Sequence, residues 1–352
     1  MALDQRQTDI LLTIVKNYIL TGQPVGSRTV AKDSSLSLSP ASIRNIMADL
    51  TDAGYIEQPH TSAGRIPTAH GLRYYLDSNL EVEPVSPEVR EKIKSSLTSV
   101  GPDLSQTLSQ TCKILSSLSN QISLVITPDH QAIRWQRIDF VLLRPGLIMS
   151  ILVMEGGLIR NKVISVDKEI SADDLVKFGN YLNEHYQGKT LHYVRSSVLA
   201  QMKNARIQFE GLYEKALKLA HESFDDSGRQ VYMEGTHYVF QGSDSADINK
   251  MRELFRMLEE KSKLLKLLDK TIESKNISVI LGQEEKWDEL SDFTVISSPY
   301  SLGGSNIGAV SIIGPTRMNY SKIIPAVDLT AKILSQLLRE IYENKAGQNL
   351  PG

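Results

Sequence analysis

Ser42, Arg44 and Asn45 fall within four positions of one another, just after a Ser39-Pro40 pair. These side chains suit recognition of base edges, since arginine pairs bidentately with guanine and asparagine with adenine. A second polar group lies in 58–76, where His60, Arg65, His70 and Arg73 occur without a carboxylate and Thr61 and Ser62 follow the first histidine. The run Ser27-Arg28-Thr29 is a third. Hydroxyl, imidazole and guanidinium donors bond phosphate oxygens, which orients a protein on a duplex without reading its sequence. The pattern therefore predicts base readout by Ser42, Arg44 and Asn45. It predicts phosphate or minor-groove contacts by Ser27, Arg28, Thr29, Ser39, His60, Thr61, Ser62, Arg65 and Arg73, with Arg65 at a hairpin tip.

Other chemistry finds little support. There is no Walker A loop, G-x-G-x-x-G, H-E-x-x-H or G-x-S-x-G string, so no catalytic residue is assigned and no enzyme is expected. Leu302 to Gly308 is glycine-rich and reads as a structural turn, with an anion nest as the alternative. The single cysteine, Cys112, permits no intrachain disulfide and reads as a small buried hydrophobe, a nucleophile only if His130 were brought beside it. No paired Cys or His spacing suggests a metal, and no cofactor is expected. With a net charge of −2, the chain lacks the broad basic field of a protein that coats nucleic acid, so any DNA contact must be local. No apolar run is long enough to cross a bilayer and 1–20 does not read as a signal peptide, which points to a cytoplasmic protein without a membrane partner.

The elements that must position the polar groups follow from periodicity. A helix over 5–20 has a stripe of Ile10, Leu11, Ile14, Val15, Tyr18 and Ile19, stopped by Gly22. Ser27 caps a short helix to Lys32. Ser39-Pro40 opens a third helix with a capping hydroxyl and a proline whose missing N–H costs nothing at that position. In it Ile43, Ile46, Met47 and Leu50 share an apolar face, leaving Ser42, Arg44 and Asn45 outside. By itself this helix fits a recognition helix or a small bundle with a solvated face equally well. A hairpin follows, with strands at 55–58 and 65–66 around the turn 59–64, and then Thr68 caps another helix. A hairpin directly after such a helix favours a winged helix-turn-helix.

Further along, Pro84 to Pro87 reads as a linker, and 88–118 as two helices broken near Gly101-Pro102. Strands are expected at 122–126, 133–143, 147–154 and 158–166, then helices over 171–224. Strands return at 231–241, 277–282, 293–298 and 307–313, separated by a core-packing helix over 248–272, and a last helix spans 321–343. Sheet, helices and sheet again imply an insertion. The fold class is α+β and multidomain.

The strings Gly22-Gln-Pro-Val-Gly-Ser-Arg-Thr-Val30, Ser39-Pro-Ala-Ser-Ile-Arg-Asn-Ile-Met47, Leu50-Thr-Asp-Ala-Gly-Tyr-Ile56 and Pro59-His-Thr-Ser-Ala-Gly-Arg-Ile-Pro-Thr68 resemble the HrcA family of heat-inducible repressors. Gly71-Leu-Arg-Tyr-Tyr75 and Ile312-Ile-Gly-Pro-Thr-Arg-Met-Asn-Tyr320 extend the resemblance to both ends of the chain. The resemblance implies a homodimer that represses chaperone operons from an inverted-repeat operator in double-stranded DNA, with the chaperonin GroEL as a modulating partner. It implies a winged helix-turn-helix, a GAF-like α/β domain with an antiparallel sheet, and an inserted α+β dimerisation domain. With the segmentation above these become 1–80 for DNA binding, 81–118 as a helical linker region, 119–160 and 229–345 for the GAF-like domain, 161–228 for the insert and 346–352 as a tail.

Leu175, Phe178, Leu182, Leu199, Met202 and Phe209 are candidates for the dimer contact, with burial inside their own domain as the other reading. A rival function keeps DNA binding but places a small-molecule effector in the GAF-like domain, with Tyr232, Tyr238, Phe240 and Trp287 as candidate lining.

Overall fold

Helix α1, Gln5–Thr21, begins where Asp4 accepts the Gln7 N–H at 2.7 Å and the Gln7 side chain accepts the Asp4 N–H at 3.1 Å. It ends at Gly22, whose φ of 66° an L side chain rarely adopts. Ile10, Leu11, Ile14 and Val15 are fully buried beneath α2, Ser27–Asp33, α3, Pro40–Asp52, and α4, Ala69–Ser78. A small hairpin pairs β1, Ile56–Glu57, with β2, Ile66–Pro67. The computed structural model describes residues 3–33, 38–60, 63–101, 103–127, 134–154, 159–166, 170–191, 193–194, 196–198, 219, 229–240, 248–274, 276–284, 288–302 and 305–347.

After a stretch without regular structure over 80–86, α5, Pro87–Thr98, and α6, Leu104–Ser119, lead into the larger sheet. Its five antiparallel strands are β3, Ile122–Ile126, β7, Val231–Glu234, β8, Ser278–Leu281, β9, Phe293–Leu302, and β10, Ser305–Pro315, in the order β7-β3-β10-β9-β8. Both faces are covered, so β3 and most of β9 are buried residue after residue instead of alternating. Ile122, Leu124 and Ile126 face α8, Ile248–Glu259, and α9, Lys261–Ser274. Val125, Val310 and Ile312 face α6 and α10, Tyr320–Gly347. Outside this layer α5 is fastened by Ile93, Leu97, Ile114 and Leu329.

A second, three-stranded meander runs β4, Trp135–Arg144, β5, Leu147–Met154, and β6, Ile159–Ser165. Helix α7, Ala172–Tyr186, covers one of its faces. Asn183 ties the two together: its Oδ1 accepts from Trp135 Nε1 at 3.1 Å and from the Ile138 N–H at 2.7 Å, and its Nδ2 donates to the Ile138 carbonyl at 3.0 Å.

Some expectations need correction. The change of sheet comes before residue 134, not at 161, because β4 and β5 pair with β6 and not with β3. Leu175, Phe178 and Leu182 are buried within this single chain, in a cluster with Ile138, Phe140 and Leu152, so they are core of their own unit. Leu199, Met202 and Phe209 lie outside the described residues. The strand expected over 231–241 stops at Glu234 because Gly235, φ 84°, turns the chain into a short 3-10 segment, Thr236–Phe240. A Cβ at Gly235 would sit 1.9 Å from Ser116 Oγ. The helix expected over 248–272 is two helices. The second starts where Glu260 accepts the N–H groups of Lys263 and Leu264 while Lys263 pairs with Glu260 and Glu289.

Candidate nucleic-acid interface

Helix α3 is held from inside and presented outward. Ile43 and Leu50 are fully buried and Met47 nearly so, which fixes the helix on α1 and α2. The Ser39 hydroxyl accepts the Ser42 N–H at 3.2 Å, and the two hydroxyls lie 3.0 Å apart. Ser42 therefore spends part of its bonding capacity on the cap. Arg44 and Asn45 are exposed and have no hydrogen-bond or ion-pair partner among the described residues. Asp49 and Asp52 are exposed nearer the C-terminal end, so only the first turns suit an anionic partner. On α2, Arg28 and Thr29 are exposed and Ser27 is half-buried.

The hairpin has a further backbone partner, a single bridging residue, that periodicity missed. Val25 bridges Arg65, with N–H to carbonyl bonds of 2.8 and 2.9 Å in the two directions. Gly64 makes this crossing possible, since a Cβ there would come within 2.6 Å of the Val25 carbonyl. The bridge puts Arg65 where the loop enters β2 and not at the tip of the loop, half-buried, with Nε donating to Thr51 Oγ1 at 3.2 Å. Thr51 sits in the last turn of α3, so Arg65 ties the hairpin to that helix. His60 is exposed in the loop, while Thr61 and Ser62 lie outside the described residues. Pro24-Val25-Gly26, a short stretch between two helices that neither helix can absorb, is the sequence signal that could have revealed the bridge.

Arg73 departs most from its expected place. It projects from α4 toward the larger sheet, where Nε and Nη2 donate to Glu284 at 3.0 and 2.5 Å and Nη2 also donates to the Val279 carbonyl at 2.8 Å. The Glu284 hydrogen bond is the main reason its guanidinium is held above its ordinary pKa. Ser27, Arg28, Thr29, Ser39, Ser42, Arg44 and Asn45 belong to α2 and α3 or their caps, and Arg73 is not with them.

The other candidates stay apart. Cys112 is fully buried, its thiol donating to the Tyr232 carbonyl at 3.3 Å, and burial pushes its pKa up to about 12. His130, Trp287 and the Phe240 side chain lie outside the described residues. Tyr232 is on β7, beside a cavity of about 360 Å³ that it shares with Val231, Met233, Leu258 and Leu264, whereas Tyr238 lies in the 3-10 segment against His237. Of the glycine-rich 302–308 region, Leu302 ends β9 and pairs with Ser305 of β10, a β-bulge lies between Asn306 and Gly308, and 303–304 lie outside the described residues. Among the described residues no group of three or more His, Cys, Asp or Glu could hold a metal, and no helix is long and apolar enough to cross a membrane.

A family model described as the HrcA protein C terminal domain matches residues 105–324. Over nearly its whole length the chain is similar to proteins named heat-inducible transcription repressor HrcA. That of Geobacter sulfurreducens is 39% identical over 336 residues, covering 96% of this chain and 98% of the relative. The Syntrophobacter fumaroxidans protein is 39% identical, with 97% and 99% covered, and that of Methylobacillus flagellatus is 36% identical, with 96% and 98% covered. A solved structure, described as a hypothetical protein at 2.2 Å resolution, matches with a TM-score of 0.63 at 23% identity over 97% of this chain and 100% of that one, a likeness of fold.

Proposed function

The chain belongs to the HrcA family, whose named relatives are heat-inducible transcription repressors and not enzymes, and from that premise we propose how it represses. The 1–80 unit is a winged helix-turn-helix: α2 and α3 are its two helices, β1 and β2 its wing. Helix α3 enters the major groove with Arg44 and Asn45 against base edges, while Arg28, Thr29, Ser39 and His60 meet phosphates. The observation that carries this reading is the exposed Arg44-Asn45 pair, unpartnered among the described residues, in the first turns of a helix whose opposite face is buried. Bound at the promoter of a chaperone operon, the protein blocks transcription by occlusion, acting in the cytoplasm where the chromosome lies.

A homodimer supplies two recognition helices and so requires an inverted-repeat operator. The five-stranded sheet with its helices is the GAF-like domain, and the β4–β6 meander with α7 belongs to the inserted dimerisation domain. Support for the latter is the meander face away from α7, where Val141, Ile159 and Val163 are exposed beside half-buried Met149 and Ile151. A second copy of this chain is the occupant that family membership favours for such a face. The chaperonin GroEL, implied by the resemblance, raises the fraction of repressor competent to bind.

The test is an anisotropy titration at one fixed salt concentration against an inverted-repeat operator and a scrambled duplex, with and without chaperonin. Preference for the repeat, increased by chaperonin, is expected. Equal weak binding of both duplexes by native dimer would overturn the reading, and a repeat preference that chaperonin leaves unchanged would remove the chaperonin from it.

A further inference from the structure

The N-terminal unit is joined to α5, and through α5 and α6 to the larger sheet, by residues 80–86, which have no regular structure, so the linker alone leaves its orientation open. Arg73 closes that freedom. Its two bonds to Glu284 form a planar fork, the geometry in which arginine and carboxylate hold each other in direction as well as distance. The same guanidinium caps the Val279 carbonyl on β8, the strand at the edge of the sheet, and Asp77, one turn along α4, lies 3.6 Å away. The pair is about one-third exposed on each side. Two further contacts brace the junction: the Glu83 N–H donates to the Ser321 carbonyl at 3.0 Å, and the Arg317 guanidinium lies against Gly22, the cap of α1.

Helices α1, α3 and α4 share one core through Ile10, Leu11, Leu50, Tyr55, Leu72 and Tyr75, so whatever holds α4 also holds the axis of α3. A dimer offers its two recognition helices at a separation set by how each N-terminal unit sits on its body. We propose that the Arg73–Glu284 fork is a positioning contact that fixes the axis of α3 and through it the half-site spacing the dimer accepts. This rests on the DNA-binding, dimeric reading above and deepens it.

The test uses the full chain and an inverted repeat that the parent selects from a randomised duplex pool. Affinity is measured for the parent, Arg73→Gln, Glu284→Gln and the charge-swapped pair Arg73→Glu with Glu284→Arg, on repeats of varied spacer length and on an isolated half-site. The parent is expected to favour one spacing by roughly tenfold over its neighbours. Each single variant flattens that profile to about threefold while keeping half-site affinity within about twofold, and the swapped pair restores the optimum. Spin labels at Asp52→Cys and Gln336→Cys add a readout without DNA, in which the interlabel distance distribution broadens in Glu284→Gln. Profiles and distances that superimpose on the parent's overturn the proposal. A parent that selects no repeat overturns the DNA-binding reading itself, and the half-site arm separates the two failures.

Discussion

Arg44 and Arg73 belong to the same small helical unit and have opposite surroundings. On α3, Arg44 stands in solvent beside Asn45, with no carboxylate among the described residues to neutralise it. On α4, Arg73 meets a carboxylate and a backbone carbonyl of the larger sheet, both more than two hundred residues away in sequence. One surface keeps its donors available for an external anion, and the other spends them on the chain itself. An arginine's role thus depends on which face of its helix the core leaves open and on whether a carboxylate lies within reach.

The most severe way to break this contrast is to dissolve the core that holds the two faces apart. Leu50 is fully buried where α3, the hairpin and α4 share one cluster. Leu50→Ala is expected to cost about 2–5 kcal/mol of the stability of this unit, read by denaturant melting, and to lose operator affinity with it. Arg44→Ala sharpens the contrast. It should cost about 1–3 kcal/mol in affinity for the selected sequence and relax preference at one base pair, leaving stability unchanged in a melt.

Smaller effects are expected next to the tether. Arg65→Ala removes the Nε bond to Thr51 along with a cation beside the last turn of α3. It should weaken binding to all duplexes by about 1 kcal/mol and make the dependence of log K on log salt shallower, in a salt-series titration. The smallest effect concerns Cys112, away from both faces. Its folded pKa lies above that of an exposed thiol, so its contribution to stability is whole below pH 9 and fades as pH rises from there toward about 12. Native protein at pH 8 should therefore resist thiol alkylation, which becomes rapid in denaturant; fast native alkylation would contradict the burial.

Local features were legible in the sequence wherever a backbone cost has a single-residue remedy. Ser39-Pro40, Gly22 and Thr68 mark helix ends because each satisfies or relieves a terminal backbone group, and the structure puts caps at all three. The exposed face of α3 followed from the spacing of Ile43, Met47 and Leu50. Contacts distant in the chain were not legible. Nothing near Arg73 announces Glu284, and the absence of acids in 58–76 suggested a free cation. Periodicity likewise marked Leu175, Phe178 and Leu182 as one apolar stripe, yet it cannot say whether a stripe meets its own sheet or a second copy. β4 and β5 were each read as strands, but their partner is decided by register with β6, which alternation alone leaves open.

The most direct test of the contrast is an affinity titration of parent, Arg44→Ala and Arg73→Gln against one isolated half-site duplex at fixed salt. A loss of about tenfold or more confined to Arg44→Ala is predicted, with Arg73→Gln within about twofold of the parent. Equal losses in both variants, or a loss in Arg73→Gln alone, would contradict the assignment of α3 to DNA and α4 to the body of the protein.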